Sequence, residues 1–404
     1  MLLAFLLLAF VGLSPFHPPP AVSAFGGAVT TGAGDLARQL CYLAVFMAIV
    51  LGAFRNRGLM AFSPLPLLLM LLVAWCIASA LWSAEPGITT RRAGLAFVLV
   101  VSAMLSVETV GTEKSLALWR WLLFAILVVN LISIRFIPEA VHLPGETDAQ
   151  LVGDWRGLYG HKNIAGSVGA MTAIVFLFSP SPKFWRKALD IAIAAAAIGF
   201  TVMTRSKSSL GLLVVALVAG GIYSIAWKRE IDRTIAVVAA FLLMTAAAAF
   251  LIADQSSLLR LFADPEQFTG RTEIWRAEIA YIVDHPLLGA GFGTFSGTGG
   301  VSPLHAYVGG WVPEASHGHN GYLQILVTTG AVGFVLALAA LVISPAIAFW
   351  KCGAVELKAL LFALFVFLVL HNLMETDFLE GDGVAWVAYL LMLAMLGNLQ
   401  RARP

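Results

Sequence analysis

The feature that most constrains this chain is a succession of apolar runs, each about 15–25 residues long and divided from the next by short polar breaks. A single soluble core cannot bury so many of them, so the pattern selects an all-α polytopic integral membrane protein. A membrane β-barrel would show alternating segments of about ten residues instead. Composition agrees, because 60% of the 404 residues are hydrophobic and only 12% are charged, about half the charged share of a soluble domain. The net charge of +2 gives no reason to expect nucleic acid as a partner. Cys41, Cys76 and Cys352 lie in or beside apolar runs without C-x-x-C spacing, and read as packing residues.

The runs place spans near 1–16, 36–54, 59–82, 93–107, 116–137, 162–179, 188–203, 208–227, 234–253, 320–350, 355–378 and 384–398. That is about twelve spans in a single membrane domain, 1–404. One long polar loop, 254–319, interrupts them. Residues 1–16 read as a first helix stopped by Pro18-Pro19-Pro20, with a processed leader as the alternative.

Orientation follows from lysine and arginine in the short loops. With an even number of spans and both ends inside, the inner side holds Arg55, Arg57, Lys114, Lys183, Arg186, Lys187, Lys228, Arg229, Arg233, Lys351, Lys358, Arg401 and Arg403. The long loop then faces outward. The outer side still collects Arg91, Arg92, Arg135, Arg156, Lys162, Arg205, Lys207 and Arg271 near membrane boundaries. Snorkelling explains any one of these. A cluster on the side normally depleted of positive charge suggests an anionic ligand, and lipid phosphate or diphosphate is the one abundant at that depth.

Four stretches carry candidate chemistry. Thr204-Arg205-Ser206-Lys207-Ser208-Ser209 is a tight outer turn in which Ser208 or Ser209 can cap the next helix, which reads either as a phosphate site pairing cations with free N–H groups or as simple capping beside interfacial charge. Residues 269–284 read as an amphipathic surface helix with Trp275, Ile279 and Ile282 on one stripe and Pro286 closing it. Arg271 lies in its first turn, where a cation is disfavoured unless it points away or meets an anion. Leu288-Gly289-Ala290-Gly291-Phe292-Gly293 lacks the strand that a nucleotide fingerprint requires, and reads as a tight loop at the membrane surface.

The fourth stretch is His317-Gly318-His319-Asn320, in which Asn320 caps the following helix. His319 then stands just outside a helix N-terminus, where the dipole disfavours imidazolium and leaves the ring able to accept a proton. Zinc held by His305, His317 and His319 is a looser reading, because H-x-H fixes no third ligand. Arg156 to Asn163 repeats the histidine-plus-asparagine arrangement at another helix entrance. His371, Asn372, Glu375, Asp377, Glu380 and Asp382 gather near an outer helix end, where they pair with the basic cluster or orient a sugar.

Lys207 in T-R-S-K-S-S, G-R-T-E-I-W, the G-A-G-F-G loop and H-N-G-Y-L-Q followed by T-T-G-A-V-G resemble the motifs of the O-antigen ligase/polymerase superfamily. The stretch from Trp82 to Arg91 fits as well, and G-L-Y-G-H-K-N resembles the exopolysaccharide polymerase branch. The likeness is strongest over 190–340, the ligase-like core region. It implies a GT-C-like membrane glycosyltransferase performing metal-independent, inverting transfer from an undecaprenyl-diphosphate-linked oligosaccharide, with no cofactor.

Carried over to this chain, His319 and Arg271 are the expected catalytic residues, and Lys207, Arg205, Arg271 and Arg91 bind the diphosphate. Lys207 stands where many members have arginine, which keeps the charge but loses the bidentate fork. His161, Lys162, His317, Asn320 and Glu375 are candidates for sugar or acceptor contacts. The implied partners are a growing glycan or a lipid acceptor, membrane lipids, and chain-length or export proteins. The implied location is the bacterial inner membrane, with the site on its periplasmic side. Transfer to lipid A-core by a ligase is one alternative. A lipid-linked sugar flippase, which predicts internal repeats and broken helices, is another. If the polymerase reading holds, the long loop should close over the Arg205–Lys207 turn.

Overall fold

In a computed structural model, the described residues are 1–16, 35–146, 151–179, 183–228, 271–296, 298, 301–310, 312, 318–351 and 357–401. The expected span near 234–253, the loop residues 254–270 and His317 lie outside them. The helices are α1 (Leu2–Phe10), α2 (Leu36–Arg57), α3 (Leu67–Ala78), α4 (Pro86–Val110), α5 (Thr112–Phe136), α6 (Lys162–Phe178), α7 (Phe184–Met203) and α8 (Lys207–Lys228). After the long loop's surface helix α9 (Arg271–Asp284) come α10 (Gly321–Leu338), α11 (Ser344–Lys351), α12 (Leu357–His371) and α13 (Val384–Arg401).

Among the described residues, 6 helical segments are long and apolar enough to cross a membrane, and three shorter apolar helices accompany them. The chain is a multi-pass helical membrane protein. Two expected spans are shorter than their apolar runs. The first is helical only over Leu2–Phe10, about 14 Å at 1.5 Å per residue. The run 59–82 opens with a 3₁₀ turn, Gly58–Phe62, before α3 begins.

The centre of the bundle is formed by α6, α12 and α13, buried on nearly every side. Small residues allow α6 to approach its neighbours closely: a Cβ at Gly166 would lie 2.7 Å from the Ser206 Cβ. By contrast α2 turns Leu40, Leu43, Met47 and Leu51 outward, as a lipid-facing helix must. Charged contacts sort to the two ends. Arg57 and Arg401 meet Glu108 at one, and the basic and acidic residues expected outside gather at the other.

The run 320–350 is interrupted twice, by non-helical φ/ψ at Gly330 (φ 66, ψ −174) and by a π-helical turn over Ala339–Ile343. The first break is filled by the glycine loop. Ala290 and Gly291 donate to the carbonyls of Val327 and Thr328 at 2.9 Å each, and Ala331 N–H reaches the Pro286 carbonyl at 2.9 Å. Trp75 and Trp82 add indole bonds to the carbonyls of Thr329 and Leu288 at 3.0 and 3.1 Å. The backbone groups freed by the break are therefore satisfied within the protein, as low-dielectric surroundings demand. A Cβ at Gly330 would overlap the Leu287 carbonyl, so the loop and the break fit together only because both carry glycine.

Candidate functional site

The starts of α6, α9 and α10 converge on Glu375, in the connection between α12 and α13. Its Oε1 accepts from Arg271 Nη2 at 2.8 Å and from Asn163 Nδ2 at 2.7 Å, and its Oε2 lies 3.0 Å from His319 Nδ1. Arg271 Nη1 also donates to the Met374 carbonyl at 2.9 Å. Burial by itself raises the Glu375 pKa, but the His319 hydrogen bond and the Arg271 charge outweigh it and hold the carboxyl well below the usual range. The anion that Arg271 meets at the start of α9 is thus a side chain of this protein. Glu375, expected to pair with the basic cluster or to contact a sugar, ties the expected base to the expected cation.

His319 reaches Glu375 from an uncommon backbone conformation, with φ 53. Asn320 caps α10 as its sequence predicts, its Oδ1 accepting from the N–H groups of Tyr322 and Leu323 at 3.1 Å each. The N–H of Gly321 bonds the carbonyls of Asn372 and Glu375, which locks the α10 entrance to the α12–α13 connection.

The α9 stripe differs from its expectation. Ile279 is 52% exposed, and the buried residues are Thr272, Ile274, Ala277, Glu278 and Tyr281. Ala277 and Tyr281 pack with Ala290, Phe295, Leu304 and Val327. The helix is rotated because Arg271, Trp275 and Glu278, at i, i+4 and i+7, face the His319 turn and Glu375. Trp275 Nε1 donates to the Gly318 carbonyl at 2.7 Å.

His161 caps α6, its Nδ1 accepting from Asn163 N–H at 3.2 Å. Burial pushes its pKa down to about 4, against the nearby Glu375 charge, with His142, His319 and Lys162 adding to the fall. Lys162 and Arg205 share one buried carboxylate: Asp154 lies 2.6 Å from Lys162 Nζ and 3.2 Å from Arg205 Nη1. Arg156, which the sequence groups with the outer cations, is buried and bound to Glu146 and to the Glu139 carbonyl.

The 204–209 turn is tight as expected, with Arg205 at φ 51. The capping serine is not Ser208 or Ser209, because α8 already begins at Lys207. Ser209 instead contacts Ser206 at 3.0 Å and His371 Nε2 at 3.3 Å, and His371 Nδ1 meets Asp377 at 2.7 Å. The described connection between Arg271 and this turn therefore runs through residues 371–377. Arg91 is half-buried and Lys207 exposed, and neither has an ion pair among the described residues. Arg92 reaches the Gly293 carbonyl.

The segment from α7 to α10 carries the Arg205–Lys207 turn, Arg271 and His319, and residues 192–338 match the family model described as O-antigen ligase. That stretch is similar to the O-antigen ligase family. Glu375, Asn163 and His161 lie outside the matched stretch, and Glu375 contacts Arg271 and His319 within it. The chain is also 25% identical over 271 residues to the exopolysaccharide production protein ExoQ of Rhizobium meliloti (strain 1021). That alignment covers 65% of this chain and 60% of the relative.

Sequence reasoning missed Asp154, the amide of Asn163 and Glu278. Only Glu278 left a signal, as a carboxylate among the apolar positions of an amphipathic helix.

Proposed function

We propose that this protein is a membrane glycosyltransferase that polymerises exopolysaccharide or O-antigen repeat units from an undecaprenyl-diphosphate-linked donor at the periplasmic face of the inner membrane. The observation that carries the reading is Glu375, whose two oxygens join a cation, Arg271, to a proton acceptor, His319. An acceptor hydroxyl is a weak nucleophile, and a leaving diphosphate needs fixed positive charge. Base and cation on one carboxylate answer both needs.

In the transfer, the acceptor oxygen bonds to the anomeric carbon while the bond from that carbon to the diphosphate oxygen breaks. The diphosphate keeps the electron pair, and the hydroxyl proton passes to His319. With Nδ1–H donated to Glu375, Nε2 takes that proton, the arrangement used by carboxylate-oriented histidine bases. One displacement of this kind inverts the anomeric centre. Lys207 and Arg91 offer charge to the leaving diphosphate, and Arg205, 69% exposed in its side chain, joins them by exchanging Asp154 for phosphate. Arg271 adds a buried Nε–H that has no acceptor among the described residues.

A ligase that hands the glycan to lipid A-core is favoured by the description of the matched family, and ExoQ's name favours polymer production. The break in α10 favours a flippase, but its backbone groups are taken up by the glycine loop and are not left for a substrate. His319→Ala in a purified assay with a lipid-diphosphate glycan should abolish transfer, and wild-type turnover would sink the base assignment. Glycan analysis of a deletion strain separates the alternatives. Single repeats left unpolymerised mean a polymerase, and polymer stranded on its lipid means a ligase.

A further inference from the structure

Glu278 lies two turns after Arg271 on the face of α9 that meets the site. It is 0% exposed, and neither carboxyl oxygen has a hydrogen-bond partner among the described residues. A buried polar group without a partner costs about 1–3 kcal/mol, so stability alone would be better served by an apolar side chain. Burial pushes the acid up to about 8, which leaves it mostly uncharged near neutral pH.

The carboxyl stands against one backbone position. A Cβ at Gly318 would overlap Glu278 Oε1 and come within 2.8 Å of Glu278 Cδ. Gly318 is not among the residues with positive φ, so a Cβ there would be opposed by the Glu278 carboxyl, which would have to move, and not by the backbone conformation. From the same helix, the Trp275 indole holds the Gly318 carbonyl. The next residue is His319, whose left-handed conformation costs about 1–2 kcal/mol and persists only where its surroundings impose it.

We propose that Glu278 is a positioning residue for His319: its carboxyl fills the space over Gly318 and, with Trp275 on the Gly318 carbonyl, sets the turn that presents the imidazole to Glu375 and the acceptor. The inference rests on the reading of His319 as the base. It gives Gly318 and Glu278 a shared role that neither has alone.

The test measures kcat, KM for the lipid-linked donor and thermal unfolding in Gly318→Ala, Glu278→Ala, their double variant and Glu278→Gln, beside His319→Ala. Gly318→Ala should lower kcat about 100-fold, the cost of displacing a catalytic group by about 1 Å, with KM nearly unchanged. The double variant should regain about tenfold over Gly318→Ala, because the new methyl enters the vacated space. Glu278→Gln should keep kcat within about threefold, since a neutral amide has the shape of a neutral acid, while Glu278→Ala should lose kcat at unchanged KM. If Gly318→Ala does not fold, this contrast between Gln and Ala carries the test. A folded double variant no more active than Gly318→Ala overturns the proposal. So does a Gln variant as inactive as His319→Ala, which would make the acid proton part of the chemistry. Full turnover by His319→Ala would remove the base reading itself, and the positioning role with it, whatever the 278–318 pair does.

Discussion

Glu375→Gln probes the junction most directly, because the side chain keeps its length while losing its charge. One of its two acceptor oxygens becomes an amide donor, facing either the Arg271 guanidinium or the His319 Nδ1–H. Arg271 would remain a cation with its side chain only 15% exposed and no carboxylate opposite it. Removing one partner of a buried ion pair costs about 3–5 kcal/mol. The surviving Met374 bond and the residual exposure put the expected loss near the lower end, about 3 kcal/mol.

The catalytic loss has a different origin. Where a carboxylate fixes the tautomer of a histidine base, its amide replacement lowers kcat by about 10⁴. Here the Asn320 cap and the Trp275–Gly318 bond keep the turn in place, so the expected fall is about 10²- to 10⁴-fold. The two effects separate in Arg271→Met/Glu375→Met. Swapping both partners of a buried pair for apolar side chains is often near neutral for stability, so this variant should unfold at a higher temperature than Glu375→Gln and stay inactive. Protein in lipid nanodiscs, followed by tryptophan fluorescence on heating and by single-turnover transfer, gives both readings. Wild-type kcat and an unchanged unfolding temperature in Glu375→Gln would refute the reasoning, since Glu375 would then hold neither neighbour.

Three further outcomes are expected. His161 has its folded pKa near 4, below the ordinary value of about 6.5, so the folded protein binds fewer protons than the unfolded chain between those values. Its stability contribution is present above pH 6.5 and lost as pH falls towards 4, by up to about 3 kcal/mol; His161→Asn, which can still cap α6, should flatten that limb in thermal scans. Gly330→Ala combines positive φ with a clash on the Leu287 carbonyl, and should cost more than the 1–3 kcal/mol or so of backbone strain alone, read as a lower unfolding temperature. Lys207→Ala should raise the donor KM more than Arg205→Ala does, because the Arg205 charge is already shared with Asp154; equal effects in titrations with the lipid-linked donor would count against that ranking.

The helices were legible because lipid demands long apolar runs, and the Asn320 cap because its side chain bonds to its own neighbours. Arg271 stood out as a cation in a helix's first turn. Its partner Glu375 lies 104 positions away, and no local rule links the two. The α9 stripe was misjudged because apolar periodicity favoured Ile279, whereas the docking of Arg271 and Glu278 on the site set the rotation of the helix. The break at Gly330 was invisible within T-T-G-A-V-G, since an isolated glycine in an apolar run reads as a close-packing position.

The sequence by itself determined that this chain is a multi-pass helical membrane protein, and it named the His319, Arg271 and Arg205–Lys207 motifs on which the proposed site rests. Hydrophobic length and capping are local properties, carried by the residues that express them. Only the tertiary structure decided that Glu375 joins His319 to Arg271, that Lys162 and Arg205 share Asp154, and that a buried Glu278 stands over Gly318. Those pairings depend on which helix ends meet, and partners far apart in sequence find one another only once the bundle has excluded water and left each buried charge in need of a neighbour.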